Sequence, residues 1–277
     1  MKITGIIFSR DRAMQLDATL QSFFLHCQNA DNAKIRVLYK TTNIRHENQY
    51  QELIQEYKER VSFKREKSFR DDLLSFFKKM SKNPLLKGGL ATSKFSPPQG
   101  TFFHRLWRRT VGRLLLYIVN TVTLPKDNYI FFLVDDNIFV QNFYLEEASD
   151  SLKQNKKIFG FSFRLGQNTT YCYPQRRNQT VPVLNNLQGH VHFYNWVKAD
   201  GDFNYPLEVS SSLYRLKDIY PLLITLQFCN PNELEKQLAD STRFYRRKYP
   251  FLACYRHSVT FCNPINIVQT TIPNRAG

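Results

Sequence analysis

"IFFLVDDNIFV", residues 130–140, runs five apolar residues into Asp135, Asp136 and Asn137 and then turns apolar again. An uninterrupted apolar run of this length reads as a strand covered on both faces, as in a parallel sheet. A carboxylate costs several kcal/mol to bury unless something pairs with it. The strand therefore either emerges into solvent at Asp135 or meets a cation there. In an open α/β sheet the carboxyl ends of the strands are where ligands bind. A solvated turn, with Asp136 or Asn137 capping the next segment, is the competing reading.

Working outward from that strand, the first half alternates. "KITGIIFS" (2–9) is a short β-branched apolar run, followed by helical spacing through Leu16, Leu20 and Phe23. A strand is predicted over 34–42, a polar-faced helix over 46–61, a strand over 61–66 and an amphipathic helix over 69–83. Such β-α-β-α-β-α order argues for a parallel sheet covered by helices. Residues 84–104, with Pro, Gly and Ser, read as a loop or insertion, and 105–122 as a helix that is basic at its front. Beyond the 128–136 strand, a helix is expected over 143–155 and a strand over 157–166. Strands over 190–196 and 207–215 and helices over 216–226 and 231–241 complete a less regular second half. The whole chain, 1–277, reads as one α/β domain.

The totals bound the function. A chain of 277 residues with 42% hydrophobic content can bury a large core. No stretch of about 18 uncharged apolar residues offers a membrane span, and the N-terminus lacks the apolar stretch of a signal peptide. Five cysteines without CxxC spacing read as thiols of a reducing, cytoplasmic compartment. The formal net charge of +16 implies an anionic partner. Nucleic acid is one such partner, but the basic residues are scattered and no RNA- or DNA-binding signature appears, so none is expected.

The pieces resemble, in their order, the GT-A glycosyltransferases, in particular the family-2-like bacterial enzymes that use nucleotide-sugar donors. "IIFSRDRAMQLDATLQSF" looks like their first strand, donor-binding turn and first helix; "FFLVDDNIF" like the strand ending in their DxD metal motif; "SSSLYRLKDI" like the strand and helix after the acceptor region; and "NPNELEKQL" like their acidic motif at a helix start. The resemblance spans Lys2 to about Gln269. It departs from the strict pattern at Asn137, where DxD has a second Asp, and at Asn232-Glu233, where a pair of acids is usual. It implies a GT-A (Rossmann-like) fold, a mostly parallel central sheet flanked by helices, with 1–140 the nucleotide-sugar half and 141–277 an irregular acceptor half.

The resemblance also implies roles. Ser9, Arg10, Asp11 and Arg12 would contact the donor, as would Asp135 and Asp136, and a divalent metal (Mn2+ or Mg2+) would sit on Asp135, Asn137 and His257. Glu233 would be the general base of an inverting transfer, with Asp200 and Asp202 as rivals; Glu235, on another face of the same helix, ranks below it. Gln269, Asn274 and Arg275 are placed to close over the donor. The acceptor is expected to be a glycan or a lipid-linked glycan of polysaccharide biosynthesis, and "FFHRLWRRTVGR" (102–113) leaves a peripheral contact with an anionic membrane open. Bland alternatives stand beside these roles: Asp11 as a helix cap, Arg10 and Arg12 solvated, Glu233 as a favourable acid at a helix start, and a non-catalytic domain of the same fold.

Overall fold

A computed structural model describes residues 2–77 and 127–263. The first half alternates as its periodicity predicts: β1 (Lys2–Arg10), α1 (Ala13–His26), β2 (Ala33–Lys40), α2 (Ile44–Tyr57), β3 (Val61–Arg65) and α3 (Phe69–Ser75). Then come β4 (Asn128–Val134), β5 (Asn137–Phe139), α4 (Leu145–Gln154), β6 (Ile158–Ser162), the short pair β7 (Tyr171–Cys172) and β8 (Arg177–Asn178), β9 (Asn185–Gln188) and β10 (Val191–Asn195). The order ends with β11 (Ser212–Arg215), α5 (Leu216–Thr225), α6 (Pro231–Ser241), β12 (Phe251–Tyr255) and β13 (Thr260–Cys262). The expected helix over 105–122, the insertion before it, the basic stretch 102–113 and the C-terminal Gln269, Asn274 and Arg275 lie outside the described residues.

Nine strands form one sheet in the order β3-β2-β1-β4-β11-β6-β12-β10-β9. The β1, β2, β3 and β4 strands run parallel. The β11 strand is antiparallel to both of its neighbours, β4 and β6, so β6 runs the same way as β4. The β12 strand is parallel to β6. All of these parallel strands therefore end at one edge, and β11 begins there. The mixed sheet with a mostly parallel core flanked by helices is the fold class that the sequence implied.

Burial explains the uninterrupted run in β4. Ile130 and Phe132 enter the core on one face of the sheet, with Phe69, Leu73, Leu216 and Leu234 from α3, α5 and α6. Tyr129, Phe131 and Leu133 enter the core on the other, with Leu16, Phe23, Tyr50 and Leu152 from α1, α2 and α4. Successive strand residues point to opposite faces, so a strand covered twice has no polar alternate. Phe131 and Phe132, both fully buried, each contribute about 1.5–3 kcal/mol of transfer free energy. Among the described residues no helix is long and apolar enough to cross a membrane.

Two features differ from the periodicity reading. The strand expected over 207–215 forms only at Ser212–Arg215, because Ser211 sits in the left-handed region at φ 69°, a conformation an extended strand cannot continue. The strand at 251–255 has no clear alternation in sequence and is buried at four of its five positions. At the sheet edge, Gly166 lets the loop after β6 lie against the turn after β12: a Cβ there would stand 2.4 Å from the Ser258 nitrogen.

Candidate functional site

The β4 strand delivers Asp135 into a buried polar knot at the end of β1. Ser9 Oγ donates to Asp135 Oδ2 at 2.8 Å, and the Arg10 backbone N–H donates to the same oxygen at 3.3 Å. Arg12 Nη1 donates to Asp135 Oδ1 and to Asp136 Oδ2, each at 3.2 Å. Tyr50, from α2, completes the knot. Its hydroxyl lies 2.5 Å from Ser9 Oγ and accepts the Arg12 backbone N–H at 3.2 Å. The turn that allows this is tight: Asp11 adopts φ 54°, which Asp tolerates better than most residues, and its Oδ1 accepts the Thr42 N–H at 2.8 Å.

Among the described residues the charges of the knot are unbalanced, with two carboxylates sharing one guanidinium nitrogen. Burial pushes the Asp135 carboxyl up to about 6; Arg12 opposes that shift and Asp136 adds to it. Burial raises Asp136 as well, again against Arg12. Excess negative charge at a partly accessible acid is what a hard cation shared with a ligand's own oxygens would satisfy. Asp136, with its side chain 13% exposed, is the residue here that fits such an ion. Among the described residues no group of three or more His, Cys, Asp or Glu side chains could hold a metal alone.

A second charged cluster stands at the same edge. Arg164, just past β6, places Nε 2.5 Å from Glu208 Oε2 and Nη1 3.6 Å from Asp202 Oδ1. Glu208 Oε1 accepts from Ser212 Oγ at 2.5 Å and Ser162 Oγ at 3.4 Å. Burial alone would depress Arg164, but Glu208 and Asp202 outweigh it and hold it protonated. Glu235, on α6 and half-buried, shares a hydrogen bond with Tyr205. Burial first, and then the Glu208 carboxylate, push the Glu235 carboxyl up to about 7, against the pull of Arg164 and Tyr205.

Cys262 links the two clusters. Its Sγ accepts from Asn137 Nδ2 at 3.2 Å, and its thiol lies within electrostatic reach of Asp136, Arg164, Glu208 and Glu235. The Asn263 N–H donates to the Asp136 carbonyl at 2.7 Å. The acid pair and Glu235 thus both act electrostatically on Cys262.

Several residues singled out in the sequence stand elsewhere or do other work. Asn137 is fully buried, and its Oδ1 accepts the Val134 N–H at 2.9 Å, so its amide closes the turn after β4 instead of facing a ligand. His257 is exposed in the turn after β12, and no contact joins it to Asp135 or Asp136 among the described residues. Glu233 is exposed and completes a helix cap: Asn230 Oδ1 accepts the Glu233 N–H at 2.9 Å, and Glu233 Oε2 accepts the Cys229 N–H at 2.9 Å. The N–H and then the thiol of Cys229 hold the Glu233 carboxyl below the usual range. Asp202 is tied to Arg164 and to Gln179, whose Nε2 donates at 3.4 Å. Asp200 is exposed and paired with Arg177 at 2.7 Å. Asp11 accepts from Thr42 instead of capping α1, whose N-cap is Arg12. Arg12 is buried, not solvated, while the Arg10 side chain is half-exposed beside Asp11.

Arg164, Glu208, Tyr205 and Tyr50 were not foreseen. Two of them carried a signal: Arg164 in "FSFRLG" and Glu208 in "PLEVS" are charges embedded in apolar runs, the same anomaly that marked Asp135.

No protein-family profile matches the chain. Over 228 residues it is 26% identical to the bifunctional glycosyltransferase pgtA of Dictyostelium discoideum, a match over 77% of this chain and 24% of that protein. The chain thus spans about a quarter of the length of that relative. Among solved structures it is similar to TarS 1–349 of S. aureus, with TM-score 0.47 and 10% identity over 95% of this chain and 61% of that one. It is also similar to mouse xyloside xylosyltransferase 1, with TM-score 0.37 and 10% identity over 95% of this chain and 97% of that one. The mannosyltransferase PcManGT of Pyrobaculum calidifontis, solved with GDP-Man and Mn2+, matches with TM-score 0.32 and 7% identity over 60% of this chain and 36% of that one. The likeness in sequence to a glycosyltransferase thus stands beside a mostly parallel mixed sheet with an acid pair at its carboxyl edge.

Proposed function

We propose that the chain transfers a glycosyl unit, with inversion, from a nucleotide-sugar donor to a hydroxyl of a glycan or lipid-linked glycan, and that Glu235 is the general base. The observation that carries this reading is the pairing of two unlike acid environments across Cys262. The acid pair Asp135–Asp136 stands on one side and a half-buried carboxyl raised to about 7 on the other. A base works best when its proton affinity lies near the working pH, and Glu235 meets that condition where the exposed Glu233 does not.

The donor half, 1–140, supplies the knot around Asp135, with Ser9, Arg12 and the acid pair at the nucleotide-sugar. Asp136 would hold a divalent ion together with the donor's diphosphate, and that ion would neutralise the charge that grows on the diphosphate as it leaves. The acceptor half, 141–277, supplies Glu235. Its carboxylate takes the proton of the acceptor hydroxyl as the oxygen forms its bond to the anomeric carbon. The bond from that carbon to the diphosphate breaks, and the nucleoside diphosphate departs with the electron pair. Tyr205 orients the Glu235 carboxylate through their shared hydrogen bond.

Two variants test the reading. Glu235→Gln is expected to keep nucleotide-sugar binding, read by thermal shift, and to lose transfer about a hundredfold or more. Glu233→Gln is expected to keep both. Transfer by Glu235→Gln at the wild-type rate would remove Glu235 from the mechanism.

A further inference from the structure

The formal net charge of +16 finds no use at the candidate site, where acids outnumber cations among the described residues. At the opposite edge of the sheet, where the parallel strands begin, "STRFYRRKYP" (241–250) holds four cations and no acid. Its two tyrosines are buried. Tyr245 and Tyr249 stack on Phe159 of β6, with ring centroids 4.7 and 5.2 Å apart. Tyr249 is pinned further: its hydroxyl donates to Asp218 Oδ1 at 2.7 Å, and its carbonyl accepts from Trp196 Nε1 at 2.6 Å. With those rings turned inward, Arg243, Arg246, Arg247 and Lys248 are left exposed. Phe244 is exposed as well, at 46%, with the Arg243 guanidinium 4.8 Å from its ring centroid.

Strand register brings further cations beside these. Phe251, the first residue of β12, pairs with Ile158 of β6 on one side and with Asn195 of β10 on the other. The β6 and β12 strands begin at this edge and β10 ends there. The exposed Lys156 and Lys157, before Ile158, and the exposed Lys198, after Asn195, therefore flank 246–248. The Phe251 N–H donates to the Lys157 carbonyl at 3.4 Å and holds that side together. None of these cations has an ion pair among the described residues. Three exposed cations elsewhere are paired: Lys40 with Glu66 at 3.0 Å, Arg65 with Glu47 at 3.2 Å and Arg177 with Asp200 at 2.7 Å. Cations near the last turns of α4 and α6 favour those helix dipoles, but the effect fades within a turn and accounts for Lys156 and Arg243 at most.

We propose that this edge docks the protein on an anionic phospholipid surface, with Phe244 entering the interface among the arginines. Three neighbouring strand ends at one level make a flat group of tips, which fits a plane better than it fits a single nucleic-acid strand, whose binding sites are grooves. Each unpaired cation held near anionic headgroups adds to the attraction. The surface lies at the edge opposite the acid pair, so docking does not use the groups that the proposed chemistry uses. The inference depends neither on Glu235 nor on glycosyl transfer.

The test is sedimentation of the full chain with vesicles of phosphatidylcholine mixed with phosphatidylserine, and with vesicles of phosphatidylcholine alone. Wild type is expected to sediment with the first and not the second, and less as salt rises. The triple variant Arg243→Gln, Arg246→Gln, Arg247→Gln should bind about a hundredfold more weakly. None of the three side chains has an ion pair or hydrogen bond among the described residues, so the fold should stand. The triple variant Arg45→Gln, Lys67→Gln, Arg256→Gln removes as much charge from exposed positions at the carboxyl edge and should bind like wild type. Phe244→Ser should weaken binding about fivefold, and full affinity in that variant would overturn the role given to the ring. Equal losses in the two triple variants would make the attraction one of net charge alone and overturn the proposal. So would a wild type that ignores both kinds of vesicle, or one that binds a single-stranded oligonucleotide through the same arginines and no vesicle.

Discussion

Arg12 Nη1 lies 3.2 Å from Asp135 Oδ1, inside the fold, with the Arg12 side chain 8% exposed and that of Asp135 6%. The same nitrogen reaches Asp136 Oδ2 at the same distance. Among the described residues one cation thus answers for a buried acid and a partly exposed one, and burying an ion pair is worth having only when every remaining lone pair is satisfied. Ser9 and the Arg10 N–H do that for Asp135. Arg12→Met would leave the two carboxylates facing each other without a counter-charge. We expect a loss of about 3–5 kcal/mol at neutral pH, smaller at pH 5 where one acid can take up a proton. Urea denaturation at the two pH values checks both the size and its pH dependence.

Asp135 also gives the stability profile a direction. Its carboxyl is raised to about 6 in the folded chain, above the ordinary 3.8. Between these values the folded state holds more protons than the unfolded state. The contribution of Asp135 is therefore fully present below about pH 4 and is lost as pH rises through about 6, an effect on the order of 3 kcal/mol at most. Asp135→Asn cannot titrate, so the difference in unfolding free energy between wild type and variant should change across pH 4 to 6.5 and be flat above it. A constant difference over that range would show that Asp135 keeps an ordinary carboxylate in the folded chain.

Much of this was legible in the sequence. The apolar run of β4 has no polar alternate because both of its faces are covered, and that burial is visible as composition. The acids at its end stand out for the same reason. What the sequence could not show is distance: which acids share Arg12, or that Asn137 turns back to Val134. The difference in burial between Glu233 and Glu235 was legible too. Leu234 and Leu238 mark the buried stripe of α6, and at ~100° per residue Glu235 lies closer to that stripe than Glu233 does. The helix-start position drew attention to Glu233, and that position is a capping position first.

Glu233 should then behave as a cap. Glu233→Ala removes the acceptor for the Cys229 N–H and is expected to cost about 1 kcal/mol, with Asn230→Ala costing roughly 0.5–2 kcal/mol from the other half of the same motif. Because the two residues belong to one cap, the double variant should lose less than the sum of the singles. Thermal denaturation measures this, and full additivity would mean the two bonds act independently.

Asn137 and Asp136 separate turn chemistry from ion binding most sharply. Asn137→Ala deletes the acceptor of the buried Val134 N–H and the donor to Cys262 Sγ, and should cost about 1–3 kcal/mol of stability. Its side chain is fully buried and committed at both ends, so in the fraction that remains folded nucleotide-sugar binding should still tighten with manganese and weaken with a chelator. Asp136→Ala is the reverse case. Its side chain is 13% exposed and relieved of a crowded charge, so the fold should be little harmed, while the effect of manganese on donor affinity should vanish. Calorimetry of donor binding with manganese and with chelator, on both variants, reads the two outcomes directly. If Asn137→Ala abolishes the manganese effect while Asp136→Ala preserves it, the ion sits on the amide side of the turn and the assignment made here is reversed.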